Sequence, residues 1–192
     1  LPVLLRGVKE YTSNITAIVT VADDGGSSGR LRSEMGVLPP GDIRNCLVAL
    51  ADAEPLMQSL FQHRFGGASG LAGHNFGNLF IAAMFEVAGD FEAAVRHSSK
   101  VLAVRGRVLP STLDDVQIVA QLEDGTLVRG ETRVSRSPGA VRKISLDPPD
   151  AHPLPEALGA IEEADLIVLA PGSLFTSLLP TLLITGMVEA IH

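Results

Sequence analysis

The sequence predicts an α/β fold with a mostly parallel sheet and a small antiparallel hairpin excursion. Three observations carry that expectation. Two short apolar, β-branched runs, Ile15 to Val21 and Leu166 to Ala170, have the composition of strands buried on both faces. Helical patterns alternate with such runs along most of the chain, as crossovers between parallel strands require. Each buried-type run stops at a polar, glycine-bearing loop: Asp23 to Arg30 after the first, Pro171 to Ser177 after the second. In open α/β sheets ligands sit beyond the carboxyl ends of such strands.

Composition narrows the function classes. A chain of 192 residues suits a single domain over residues 1–192 and can bury a sizeable core. The net charge of −7 argues against nonspecific binding of nucleic acid or of an anionic membrane surface. With no Trp and 4% aromatic residues, stacking platforms for bases are scarce. Cys46 is the only cysteine, so no intrachain disulfide forms and a cytoplasmic compartment is the natural expectation. Cys46 lies in an apolar helical pattern and reads as core rather than as a nucleophile. The uncharged stretch Leu166 to Val188 is long enough for a membrane helix, but Pro171, Gly172, Ser173 and Pro180 break it into strand, loop and helix start. The first residue is Leu1 and both ends fall in helical patterns, so both ends read as cut.

Taken in order, Leu4, Leu5 and Val8 give Leu1 to Tyr11 a helical spacing, and the strand Ile15 to Val21 follows a turn. A helix before a strand implies an earlier strand joined by that helix. In Asp23-Asp24-Gly25-Gly26-Ser27-Ser28-Gly29-Arg30 the glycines let the backbone approach a ligand, and the serines and free N–H groups suit anionic oxygens. Asp42 is placed to cap a helix from Ile43 to Asp52, with Arg44 and Asn45 in the first turn, where unpaired N–H groups favour an anion. A helix is expected from Pro55 to Phe65, then a loop from Gly66 to Gly73. His74, Asn75 and Asn78 open an apolar helix over Leu79 to Val87, where they could donate to a ligand, and His74 could equally cap the helix or fill a core niche.

Asp90 to Val104 reads as an amphipathic helix. Arg105 to Thr112 reads as a connector, with two arginines and two hydroxyls that would suit an anion. Val116 to Leu122 and Leu127 to Val134 flank the turn Glu123-Asp124-Gly125-Thr126 as a hairpin, and Val141 to Leu146 adds a strand. Pro153 to Ala164 is helical, and the second buried-type strand leads into Gly172-Ser173 and another helix start.

Four of these segments, in this order, resemble the YvcK-like gluconeogenesis factors of the CofD-like (2-phospho-L-lactate transferase) superfamily. They are Val21 to Arg32, Pro40 to Asn45, Gly73 to Leu79 and Ala170 to Ser177, and the likeness covers essentially the whole chain. The resemblance implies a Rossmann-like three-layer sandwich. It also implies a strand and glycine-rich loop before Leu1 and further α/β sequence after His192. Proteins of the YvcK type are cytoplasmic, bind a UDP-sugar such as UDP-N-acetylglucosamine, and are needed for cell shape and growth on gluconeogenic carbon sources.

For this chain, that implies a nucleotide-sugar ligand held by Asp23, Asp24, Gly25, Gly26, Ser27, Ser28, Asp42, Asn45, His74, Asn78, Gly172 and Ser173. The aspartates would read hydroxyls, the glycine loops would surround the phosphates, and the asparagines would make directional contacts. No catalytic residue is needed, and a homo-oligomer is left open. The alternative is an enzyme, a phospholactyl transferase acting on a deazaflavin alcohol, with Mg²⁺ held by Asp23 and Asp24. The transferase branch continues into Pro-Asp-Leu-Asp-Thr. Here the second acid is replaced by Arg44 or Asn45, and a metal with fewer carboxylates binds more weakly.

Overall fold

A computed structural model describes residues 1–53 and 55–192. The chain begins with α1 (Pro2–Val8), β1 (Thr16–Val19), α2 (Gly26–Met35) and α3 (Gly41–Leu50). Next come α4 (Pro55–Gln62), α5 (Phe76–Ala88), α6 (Phe91–Val101) and β2 (Arg107–Pro110). An antiparallel unit follows: β3 (Gln117–Leu122), β4 (Leu127–Arg129), α7 (Glu131–Arg136) and β5 (Val141–Asp147). The chain then runs through α8 (Pro155–Glu162), a π-helical turn at Leu174–Leu178, α9 (Leu179–Leu182) and α10 (Met187–Ile191).

β1 and β2 pair in parallel, with Thr16 opposite Arg107 and Val19 opposite Pro110. The α3, α6 and α8 helices pack against this pair, and α1 packs on α3. The second sheet has the order β4-β3-β5, antiparallel throughout. A parallel pair among helices, with a separate antiparallel excursion, is the α/β arrangement the sequence predicts. Among the described residues no helix is long and apolar enough to cross a membrane.

The core follows from the apolar periodicity. Ile43, Leu47 and Leu50 on α3 are fully buried, as are Val21, Leu31 and Ile81 from neighbouring segments. Burial of this kind contributes about 1.5–3 kcal/mol per large aliphatic side chain. Phe61 of α4 meets Phe76 edge-on at 5.8 Å and Phe80 at 4.9 Å, which anchors α5 beside α4. Cys46 is buried on α3, and burial pushes its thiol up to about 12, so it is a core thiol.

Among the strands, three segments differ from the sequence-based reading. Arg107 to Pro110, read as connector, is the strand β2; its alternation is too short to stand out from the flanking glycine and proline. The return arm of the hairpin stops at Arg129, because Gly130 takes a φ of +88° and starts α7. Residues 166–170, read as a buried strand, form no strand ladder among the described residues, and Leu166, Val168 and Leu169 are exposed.

α6 shows how local sequence sets a boundary. Asp90 takes an extended conformation and its carboxylate accepts from the Ala93 N–H at 2.7 Å. Asp90→Ala should therefore lower stability by about 1 kcal/mol, read from the denaturation midpoint at unchanged slope. A change below a few tenths would show that the cap contributes nothing.

Candidate functional site

The site forms where the chain leaves β1. Val21 and Ala22 stay buried beyond the strand. The carboxylate of Asp23 then accepts from the Gly25 N–H at 2.8 Å and turns the chain. Gly26, with a φ of +51°, begins α2. The glycine-serine run is thus helical from Gly26 rather than an open loop. Gly and Ser are poor helix formers, and packing overrides that preference: Ser27, Ser28 and Leu31 are all buried.

The two aspartates separate in role. Asp24 accepts from both the backbone N–H and the hydroxyl of Thr132, at 2.8 and 2.7 Å. It ties the β1 loop to the start of α7. Asp23 keeps a second oxygen directed toward Gly41 at the start of α3.

α3 begins at Gly41 with Pro40 as its N-cap residue and no side-chain cap bond. Asp42, expected to be that cap, lies in the first turn instead. Burial and then the charge of Asp23 raise its carboxyl above the usual range, while a hydrogen bond from Asn45 and the charge of Arg44 oppose the rise. Arg44, expected in the first turn where an anion is favoured, is buried and donates to Asn45 Oδ1 at 2.8 Å. Its long stem lies under Gly77, where any Cβ would come within 2.9 Å of it. Burial, then the nearby charge of Arg64, lowers the Arg44 guanidinium.

His74, Asn75 and Asn78 form a buried layer beneath α2. His74 Nδ1 lies 3.2 Å from Ser27 Oγ, and burial, then the charge of Arg30, lowers its pKa, favouring neutral imidazole. The Asn75 side chain caps α5 by accepting from the Asn78 N–H at 3.2 Å. Asn78 Nδ2 donates to Ser28 Oγ at 3.4 Å, and its Oδ1 is buried with no partner among the described residues. These side chains brace α2 against α5.

Glu131, which the sequence reading missed, opens α7 and reaches across to Thr176 in the π-helical turn. It is half-buried and faces Asp23, Asp42 and Asp24. Burial, then those charges, pushes its carboxyl up to about 7, and the Thr176 hydrogen bond opposes the rise. The signal available in the sequence was Gly130 followed by an acid and Thr132, a helix start inside an expected strand.

A pH dependence follows. An unfolded glutamate titrates near 4.5, and the folded group near 7. Between these values the folded state holds the proton more tightly, so this contribution is complete below pH 4.5 and is lost as pH rises through about 7. After discounting for partial exposure it amounts to about 1–2 kcal/mol. Denaturation midpoints between pH 4.5 and 8 should fall less steeply for Glu131→Gln than for the parent. Parallel profiles would remove Glu131 from the account.

Of the residues singled out in sequence, Asp23, Gly25, Gly26, Asp42 and Asn45 are accessible at the mouth of the site. Ser27, Ser28, His74 and Asn78 lie beneath it, and Asp24 is engaged by Thr132. Gly172 and Ser173 are exposed; the Ser173 hydroxyl accepts from the Thr176 N–H at 3.3 Å and caps the π-helical turn. Arg30 donates to the Ala72 carbonyl at 2.8 Å, and Arg105 pairs with Asp52 at 2.9 Å. Ser111 and Thr112 are buried, with Thr112 donating to the His152 carbonyl. The arrangement therefore offers helix N-termini for an anion and a rim of carboxylates for hydroxyl groups or a cation.

The family described as "2-phospho-L-lactate transferase CofD" matches residues 1–192. The chain is 53% identical over 191 residues to the gluconeogenesis factor of Halalkalibacterium halodurans, covering 100% of this chain and 59% of the relative. It is likewise 53% identical over 191 residues to the gluconeogenesis factor of Bacillus subtilis strain 168, covering 100% of this chain and 60% of that protein. A crystal structure of a Bacillus halodurans protein superimposes with a TM-score of 0.96 at 53% identity, over 99% of this chain and 61% of the other. The chain thus spans about 60% of the length of these relatives. The motifs, the fold and the matched length agree: this chain belongs to the CofD family, alongside its gluconeogenesis factors.

Proposed function

We propose that the chain forms the ligand site of a cytoplasmic regulatory protein, a gluconeogenesis factor that binds a UDP-sugar such as UDP-N-acetylglucosamine and supports cell shape on gluconeogenic carbon sources. The observation that carries the reading is the meeting of the first turns of α2 and α3. Gly41 at the head of α3 lies against the Ser28 hydroxyl at the head of α2, with Asp23 beside both. The opening N–H groups of a helix have no partner within it, and two such ends favour a diphosphate. Asp23 and Asp42 then accept from ribose or sugar hydroxyls, and Asn45 reads a further polar group. Calorimetry on the full-length protein tests this. UDP-N-acetylglucosamine should bind at one site per chain, and no heat with millimolar ligand would count against the reading.

A second reading is supported by the crowding of Asp23, Asp42 and Glu131, which raises two of their pKa values. In it the site belongs to a phospholactyl transferase that uses Mg²⁺. Among the described residues no three His, Cys, Asp or Glu side chains are arranged to hold a metal by themselves. A magnesium ion shared with a diphosphate needs only one or two carboxylates, so Asp23 and Asp42 fit that demand. The ion would neutralise diphosphate charge. Product formation from a guanosine conjugate, lost in Asp42→Asn, would favour this reading over the first.

A further inference from the structure

Arg44 lies buried next to two rim residues of the site, Asp42 and Asn45. It is 9% exposed, whereas Asp42 and Asn45 are half-buried. Its Nη2 donates to Asn45 Oδ1 at 2.8 Å, the only side-chain hydrogen bond it makes among the described residues. Its stem is held against Gly77, with Cδ and Cγ 2.8 and 2.9 Å from where a Cβ would stand. Asp42 and Asn45 are three positions apart, on one face of α3, and share a side-chain hydrogen bond. The Asn45 amide therefore meets a cation through one end and a carboxylate through the other.

These two neighbours dictate which way the amide faces. A guanidinium carries donors and no acceptor, and an ionised carboxylate only accepts. Turning the amide over would set its N–H groups against Arg44 and its oxygen against Asp42, two repulsive contacts in place of two hydrogen bonds. We propose that Arg44 is a positioning residue: it holds the Asn45 oxygen toward itself and so leaves one Nδ2 hydrogen free at the mouth of the site. Asn45 then donates to the ligand and does not accept from it, while Asp42 accepts. The rim thus selects a ligand that presents an acceptor, a carbonyl or phosphoryl oxygen, beside a hydroxyl or N–H donor. This deepens the ligand reading given above and rests on it.

Two measurements on the full-length protein test it. Neutron diffraction from ligand-free crystals should place Asn45 Nδ2 with its deuterons on the Asp42 side and Oδ1 on the Arg44 side; the reverse would overturn the proposal. Calorimetry with UDP-N-acetylglucosamine then tests the action through Asn45 in a double-mutant cycle. Arg44→Gln, whose amide can donate or accept, should lower affinity about 10-fold with Asn45 present and no more than about 2-fold in the Asn45→Ala background. Equal losses in both backgrounds would overturn the proposal, because Arg44 would then act on the fold or through its charge alone. Asn45→Asp keeps the acceptor for Arg44 and removes only the donor, so it tests the rim even where Arg44→Gln fails to fold. It should lower affinity at least about 10-fold, and retained affinity would overturn the proposal. No binding by the parent would count against the ligand reading itself, and the neutron result would still decide the orientation of Asn45.

Discussion

Gly29→Ala lowers stability by about 3 kcal/mol and, for a domain of this size, lowers the melting temperature by about 6–12 °C. The reason is a backbone contact. A Cβ on Gly29 would run into the carbonyl of Asp24, inside ordinary contact distance, and no side chain can rotate away to relieve it. Either α2 shifts or the chain between Asp24 and Gly29 reopens. Each alternative breaks the Gly29 N–H bond to the Gly25 carbonyl and displaces Asp24 from Thr132. Ser33→Ala on the exposed side of the same helix should stay within about 0.5 kcal/mol of the parent. Equal midpoints for Gly29→Ala and the parent would contradict the packing described.

Gly41→Ala should have a different profile: a more modest effect on stability and, under the proposed function, a large one on binding. Its Cβ would come 2.5 Å from Ser28 Oγ and 3.3 Å from Asp23 Oδ2. Both obstacles are ends of side chains that can turn aside, at the cost of the Asn78 bond to Ser28 Oγ, so the expected stability loss is about 1–2 kcal/mol, below that of Gly29→Ala. Turning aside moves the hydroxyl and the carboxylate from the head of α3 and covers its free N–H groups. Charge-assisted hydrogen bonds to the ligand are then lost, and affinity for UDP-N-acetylglucosamine should fall about 30-fold, or about 2 kcal/mol. Unchanged affinity with intact folding would place the ligand elsewhere.

The sequence made the chemistry of individual loops legible more readily than their connections. Ile15 to Asp24 announced a strand running into a polar turn because hydrophobicity stops abruptly there; β1 ends at Val19, and Val21 and Ala22 stay buried between it and the turn. The helices at Phe76 and Phe91 follow the apolar spacing, but their caps, Asn75 and Asp90, were not singled out by it. What spacing does not encode is which polar residue meets which. Asp24 is met by Thr132, which lies 108 positions away, and Ser27 by His74, 47 positions away. Glycine content misdirected the reading of α2, whose helix depends on burial of Ser27, Ser28 and Leu31 rather than on propensity. The same limit hid Glu131: its importance arises only when α7 is folded back toward Asp23, Asp42 and Thr176.

The site therefore has an accessible rim and a buried brace, and substitutions in each should be separable. Under the proposed function, changes at Asp23, Asp42 or Asn45 should lower ligand affinity, whereas changes at His74 or Asn78 should act first on the seating of α2 against α5. The most direct measurement is a structure of the full-length protein with UDP-N-acetylglucosamine. The account predicts diphosphate oxygens about 2.7–3.2 Å from N–H groups in the first turns of α2 and α3, with Asp23 or Asp42 accepting from a ligand hydroxyl. A ligand bound away from Ser28 and Gly41, leaving both helix ends to solvent, would contradict it.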